Sequence, residues 1–331
     1  MHLNEFSISQ LTGVRVVQDV APGEYSRLPL RPDIYMGIEI EGEGAHIGGA
    51  LNAISTLGWS LAHDDSLRHD GMELVLTAPL NGERLASAIS GLFSLKEDGD
   101  VEWHASPRAG THFHMNVSDR NVGFVQAITA LAYCVDELIF SFADEDRKWC
   151  SYCNSLNTLP TVVLRSLLVN RQFESYNGWT SAWPISSRDR YYGFNLSSIS
   201  KFGTVELRYF PTPDSEQQVW DWLDMCQSLF SVAEDYEDRE DPARAVLDDL
   251  LEDPAAILAR LPMLASIQGA ADSVKAAAEE LDTTLSYEED HAGSMAQPTG
   301  ISLDTLLQMR QELRDTITEN RSSLFDNLEE F

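Results

Sequence analysis

Between about residues 35 and 210 the chain repeatedly sets apolar residues against ionisable ones at every second position. In Gly37-Ile38-Glu39-Ile40-Glu41, a strand sends Ile38 and Ile40 to one face and Glu39 and Glu41 to the other, because successive strand side chains alternate. His112-Phe113-His114-Met115-Asn116 repeats the pattern with two imidazoles and an amide. Val205-Glu206-Leu207-Arg208 repeats it with a carboxylate and a guanidinium. Glu73 interrupts the apolar run Met72-Glu73-Leu74-Val75-Leu76, and Asn195 sits inside Tyr192-Gly193-Phe194-Asn195-Leu196. A half-exposed antiparallel sheet also alternates, so any one pair, Glu206 with Arg208 for example, reads equally as a solvated face. Solvated faces are usually built from Thr, Lys, Ser and Gln, and these positions are nearly all carboxylate, imidazole or guanidinium. On one antiparallel sheet the polar faces merge into one surface with Glu39, Glu41, Glu73, His112, His114, Glu206 and Arg208. The aliphatic back of that sheet then packs on helices.

The spacing predicts strands over 35–41, 58–63, 72–78, 112–118, 191–199 and 203–210. It predicts helices over 48–57, 82–96, 121–142, 159–173 and 216–234, the last capped by Asp214 or Ser215. Gly42-Glu43-Gly44 and Gly48-Gly49 suggest a flexible turn after the first strand. After about residue 233 the composition shifts: Glu234 to Asp253 holds ten acidic residues. Helical patterns follow over 242–261, 267–284 and 301–328, with a loop over 291–300. The expected architecture is an α+β catalytic domain over 1–233 and an acidic α-helical C-terminal region over 234–331, whose charge reads most simply as a solvated face.

The 331 residues carry 23 Lys and Arg against 53 Asp and Glu, a net charge of −30. Such a field repels phosphate backbones, so direct nucleic-acid binding is not expected. The same charge suits a non-catalytic interaction protein that mimics DNA, or a virion component. No run of about 18 apolar residues is read, and no basic, apolar leader opens the chain. Both features predict a cytoplasmic protein without a membrane span, in the host cytoplasm if a phage encodes it. Four cysteines in so long a chain suggest no disulfide framework, and Cys150-Ser-Tyr-Cys153 lacks the second CxxC of a zinc site.

Clustered carboxylates repel one another, so a cation must neutralise them or a pKa must rise. Carboxylate oxygens are the hard ligands that Mg²⁺ prefers, and Mg²⁺ commonly also takes substrate phosphates. A guanidinium among them suits phosphate recognition. The set therefore predicts a metal–triphosphate site. A zinc hydrolase on His112 and His114 is a weaker reading, because no HExxH accompanies them. GxxxxGK[ST] and GxSxG are also absent.

Five ordered motifs then resemble a known family. They are Gly37-Ile38-Glu39-Ile40-Glu41, Asp64-Asp65-Ser66-Leu67 with Gly71-Met72-Glu73-Leu74-Val75, and Ala109-Gly110-Thr111-His112-Phe113-His114-Met115-Asn116. Tyr192-Gly193-Phe194-Asn195 and Gly203-Thr204-Val205-Glu206-Leu207-Arg208-Tyr209-Phe210 complete the set. Together they resemble the amidoligases of the glutamine synthetase and glutamate–cysteine ligase superfamily, over about residues 34 to 225. Such proteins are frequent in bacteriophage and bacterial genomes. The resemblance implies a curved antiparallel sheet with the active site on its concave face. It implies an ATP-dependent ligase that joins a small-molecule or peptide carboxylate to an amine through an acyl phosphate, with Mg²⁺ or Mn²⁺. On that pattern Glu39, Glu41, Glu73 and Glu206 are metal ligands, and His114 or His112 contacts metal or ATP. Arg208 contacts phosphate, with Arg188 or Arg190 assisting, and Asn195 belongs to the nucleotide site. Glu206, Arg208 and Asp65 are the catalytic candidates; Asp65-Ser66 replaces or shifts the Gly of the family's Asp-Gly-Ser.

Overall fold

The computed structural model describes residues 7–14, 31, 33–64, 66–68, 71–144, 147–148, 150–168 and 191–286. Their core is an antiparallel sheet covered by helices. In chain order its strands are β1 (Met36–Ile47), β2 (Trp59–Ala62), β3 (Met72–Leu76), β4 (Val101–His104), β5 (Thr111–Asn116), β6 (Phe194–Asn195) and β7 (Thr204–Phe210). The spatial order is β2-β3-β1-β5-β7-β6, with β4 pairing to the far half of β1. All six apolar residues named by the alternation in β1, β5 and β7 (Ile38, Ile40, Phe113, Met115, Val205 and Leu207) are buried.

The helices are α1 (Ile8–Thr12), α2 (Leu51–Thr56), α3 (Gly82–Glu97), α4 (Val122–Ala143), α5 (Thr161–Leu168), α6 (Ser197–Phe202) and α7 (Glu216–Glu234). After them come α8 (Pro242–Glu252), α9 (Pro254–Leu258), α10 (Pro262–Ala265) and α11 (Ala270–Ser286). Helix α4 starts where the Asn121 side chain accepts from the Phe124 N–H at 3.0 Å, a side-chain N-cap. It is buried on nearly every face and lies against β7, α7 and α8. Among the described residues it alone is long and apolar enough to cross a membrane, but 94% of its apolar window is buried within the protein.

Three sequence expectations are corrected. Gly42 and Gly44 do not turn the chain but continue β1 to Ile47, and only Gly48-Gly49 lie in the connection to α2. A Cβ at Gly42 would stand 2.6 Å from Trp103 Cβ, and Gly44 has φ +57. Glycine there lets β1 pass beneath β4, a strand the periodicity did not announce. The strand expected over 191–199 shortens to Phe194–Asn195. The Asn195 side-chain oxygen Oδ1 accepts from the Ser197 N–H at 2.9 Å and the Ser197 hydroxyl at 2.7 Å, turning the chain into α6. The helix expected over 242–261 is broken at Asp253-Pro254, because proline disfavours a helical residue before it and opens α9 at its first turn.

The first compact unit of the chain ends at Thr284. Helix α8, which follows the shift in composition at 233, packs on α4 inside that unit. The second unit, from Leu285, is described at Leu285 and Ser286 alone, so the helix expected over 301–328 lies outside the described residues.

Candidate active site

Register assembles the polar face. Across the sheet, Glu73 of β3 stands opposite Glu41 of β1, Glu39 opposite His112 of β5, and His114 opposite Glu206 of β7. Asn195 of β6 faces Glu206 from the other side. Directly opposed strand residues carry Cβ atoms about 5 Å apart, close enough for their tips to meet. They meet in a cavity of about 490 Å³. Glu39, Glu41, Glu73 and Glu206 line it, as do His112, His114, Asn195 and Arg208. Of the other two predicted site residues, Asp65 and Arg190, both lie outside the described residues, as does Arg188. Cys150 and Cys153 are free thiols, Cys153 is buried, and among the described residues neither belongs to a group that could hold a metal.

His112 Nδ1 lies 3.0 Å from Glu39 Oε2 and 3.7 Å from Glu206 Oε1, and its Nε2 lies 3.8 Å from Glu41 Oε1. His114 places Nδ1 3.0 Å from the Thr204 hydroxyl. Its buried Nε2 has no hydrogen-bond partner, although Glu39 Oε1 is 3.3 Å away. Backbone and amide donors fix two carboxylates: Gly110 N–H donates to Glu41 at 2.8 Å, and Asn195 Nδ2 donates to Glu206 at 2.6 Å. Arg208 pairs with Glu206 as well. Two sets of donor atoms come within 4.8 Å of one another: Glu39, His112 and Glu206, and Glu41, Glu73 and His112. A divalent cation fits such sets, and their carboxylate oxygens suit Mg²⁺ or Mn²⁺.

The charges are unbalanced in a way that asks for that cation. Burial pushes the Glu73 carboxyl up to about 8, and the charge on Glu39 adds to the rise. Burial alone would also raise Glu39, but the His114 and His112 imidazoles outweigh it and hold Glu39 well below the usual carboxylate range. Glu206 is lowered too, burial being outweighed by Arg208, His114 and His112. His114 is raised, burial being outweighed by Glu206 and Glu39.

These directions fix a pH dependence. Glu73 holds a proton in the folded chain that the unfolded chain has already lost, so stability falls as pH rises from about 5 to about 8 without metal. Asp136, raised to about 6 by burial, steepens the lower end of that slope, and His114 acts with the same sign. Glu39 and Glu206 act oppositely: their contribution is present above the ordinary carboxylate pKa and is lost on further acidification. A bound cation favours ionised Glu73, so Mg²⁺ or Mn²⁺ raises the melting temperature more at pH 8 than at pH 6. Thermal melts across pH, with and without metal, check this; a metal-independent profile would remove Glu73 from the ligand set.

Sequence reasoning missed residues that line the same cavity. Arg108 precedes the Ala109-Gly110 motif and was legible only as its neighbour. Arg147 is 4% exposed and arrives from a polar stretch after α4 that gave no signal. Its Nη1 donates to Ala109 O at 2.6 Å and its Nη2 to Arg208 O at 3.1 Å. A Cβ at Gly110 would stand 2.4 Å from that Nη2, so the glycine of the motif makes room for the guanidinium.

No family model and no curated protein matches the sequence. Among solved structures, one described as a novel glutamine synthase homolog matches at 13% identity and a TM-score of 0.35. The match covers 85% of this chain and 70% of that one. A likeness of that size assigns neither fold family nor activity.

Proposed function

We infer that the cavity is the metal–nucleotide site of an ATP-dependent carboxylate–amine ligase on a glutamine synthetase-like catalytic fold. One observation carries this reading: four strands contribute opposed carboxylates, imidazoles and a guanidinium to one cavity, in two donor sets. The five ordered sequence motifs supply these same side chains. Bound with Mg²⁺ or Mn²⁺, ATP supplies a phosphoryl group that activates a substrate carboxylate for attack by an amine.

The chain supplies positioning and charge. Glu39, Glu41, Glu73 and Glu206 hold the cation, with His112 shared between the two sets. Asn195 fixes the orientation of Glu206 through its amide. Arg208, held by Glu206, neutralises charge on the transferring group. No covalent nucleophile is needed, and none is placed in this role.

The deciding experiment is Mg²⁺-dependent thermal stabilisation by ATP, followed by phosphate release with pools of amino acids and amines. Stabilisation that needs both metal and nucleotide is expected. The alternative, a non-catalytic acidic interaction protein, rests on the net charge of −30 alone. It predicts no nucleotide effect and salt-sensitive binding to basic DNA-binding proteins instead, and that outcome would end the ligase reading.

A further inference from the structure

Among the described residues three arginines line the cavity, and two have partners that hold them in place. Arg208 pairs with Glu206 and Arg147 donates to two backbone carbonyls, although the buried Nε of each has no hydrogen-bond partner. Arg108 differs. Its Nη1 donates to Ser66 O at 2.9 Å and to the Tyr152 hydroxyl at 3.2 Å. Its Cζ lies 5.7 Å from the Tyr152 ring, which meets the Tyr191 ring edge-on at 5.6 Å. Among the described residues no carboxylate pairs with Arg108, and its side-chain hydrogen bonds to them use Nη1 alone. Elsewhere the walls carry Glu39, Glu41, Glu73 and Asp64, which repel any anion that brings no metal.

The cavity has a second, different end. Arg108 lies beside Gly110, at the start of β5, whereas four residues on, the His114 ring meets Phe202 edge-on at 5.8 Å. Four strand residues span about 13 Å. Phe202 is 44% exposed, and Lys201 Nζ lies 4.4 Å from its ring centroid. An open aromatic face beside a cation suits a stacked base near phosphates. A guanidinium fork beside a phenol ring that itself packs on a second suits a carboxylate on an organic body.

We propose that Arg108, with Tyr152 and Tyr191, binds a carboxylate of the organic substrate, and that the Phe202 end takes the nucleotide. The division of the two ends rests on the ligase reading; the oxyanion site at Arg108 does not. A carboxylate and a nucleotide phosphate share the chemistry that Arg108 recognises, so the test must separate them.

The probes are ¹³C-labelled succinate, followed by NMR line broadening, and a non-hydrolysable ATP analogue with Mg²⁺, followed by calorimetry. Both are applied to the full chain, to Arg108→Leu and to Phe202→Ala. For the parent, a succinate dissociation constant on the order of 1–10 mM is expected for so small a fragment. Arg108→Leu weakens succinate about tenfold or more and leaves the nucleotide within about twofold, while Phe202→Ala does the reverse. If Arg108→Leu fails to fold, Arg108→Lys decides: it keeps the charge, loses the fork, and weakens succinate by a smaller factor. No saturable succinate binding by the parent, or equal binding by parent and variant, overturns the proposal. So does an Arg108 variant that loses nucleotide and keeps succinate. Succinate binding through Arg108 without nucleotide binding leaves the subsite standing and removes the ligase reading; nucleotide binding without succinate does the opposite.

Discussion

On the ligase reading, replacing Glu39 by Gln is expected to lower ATP-dependent phosphate release by about two to three orders of magnitude, the usual loss when one charge-stabilising group leaves a preorganised site. Glu39 touches both imidazoles and belongs to one of the two donor sets, yet its side chain keeps some exposure, so the fold survives. Glu206→Gln gives a similar loss of rate with a second effect. Arg208 is nearly buried and pairs with Glu206, and stranding one partner of such a pair costs roughly 3 kcal/mol. Steady-state kinetics and urea denaturation of the two variants separate these effects. Turnover equal to the parent in both would take the carboxylate row out of the chemistry.

Asp136→Ala is expected to be the most destabilising single change in the described core. Asp136 is fully buried on α4. It accepts from the Tyr209 hydroxyl at 2.6 Å, the Ser155 hydroxyl at 2.7 Å and the Leu156 N–H at 3.2 Å. Alanine strands three donors at about 1–3 kcal/mol each, so a loss of roughly 3–5 kcal/mol is expected, a large part of a typical domain's stability. Asp136→Asn, which keeps an acceptor, costs less. Midpoints of urea unfolding at constant slope measure both, and a loss below about 1 kcal/mol for alanine would show that the three donors find other partners. Tyr209 follows Arg208 in β7, so this buried knot also braces the strand that carries the catalytic candidate.

The site was legible in sequence wherever period two held. Glu39, Glu41, His112, His114 and Glu206 alternate with buried apolar residues, and the pleat delivered them to one cavity. Period two failed at the end of β7. Pairing passes from Phe113 opposite Leu207 to Thr111 opposite Phe210, so β7 carries one residue more than β5 across that step. Simple alternation would set Phe210 beside Glu206 and Arg208. The bulge instead takes Phe210 into contact with Phe113 and Trp222, while Tyr209 packs on Phe140. Local spacing cannot announce such a shift. Nor could it announce Arg147 and Tyr152, which reach the cavity from a segment after α4 that has no periodicity. The short β6 was over-read as a long strand because the side-chain cap by Asn195 on Ser197 competes with strand extension.

The burial of α4 has a consequence for how the protein is made. Its covers β7, α7 and α8 all follow it in the chain. A ribosome that has just completed α4 therefore holds an apolar segment of membrane-span character with none of these covers yet translated. About a hundred further residues must emerge before α8 can close over it, which at ordinary elongation rates takes roughly 5–20 s. During that interval the helix depends on chaperones or on the already synthesised sheet for shelter, and products truncated before α8 would leave it open to aggregation.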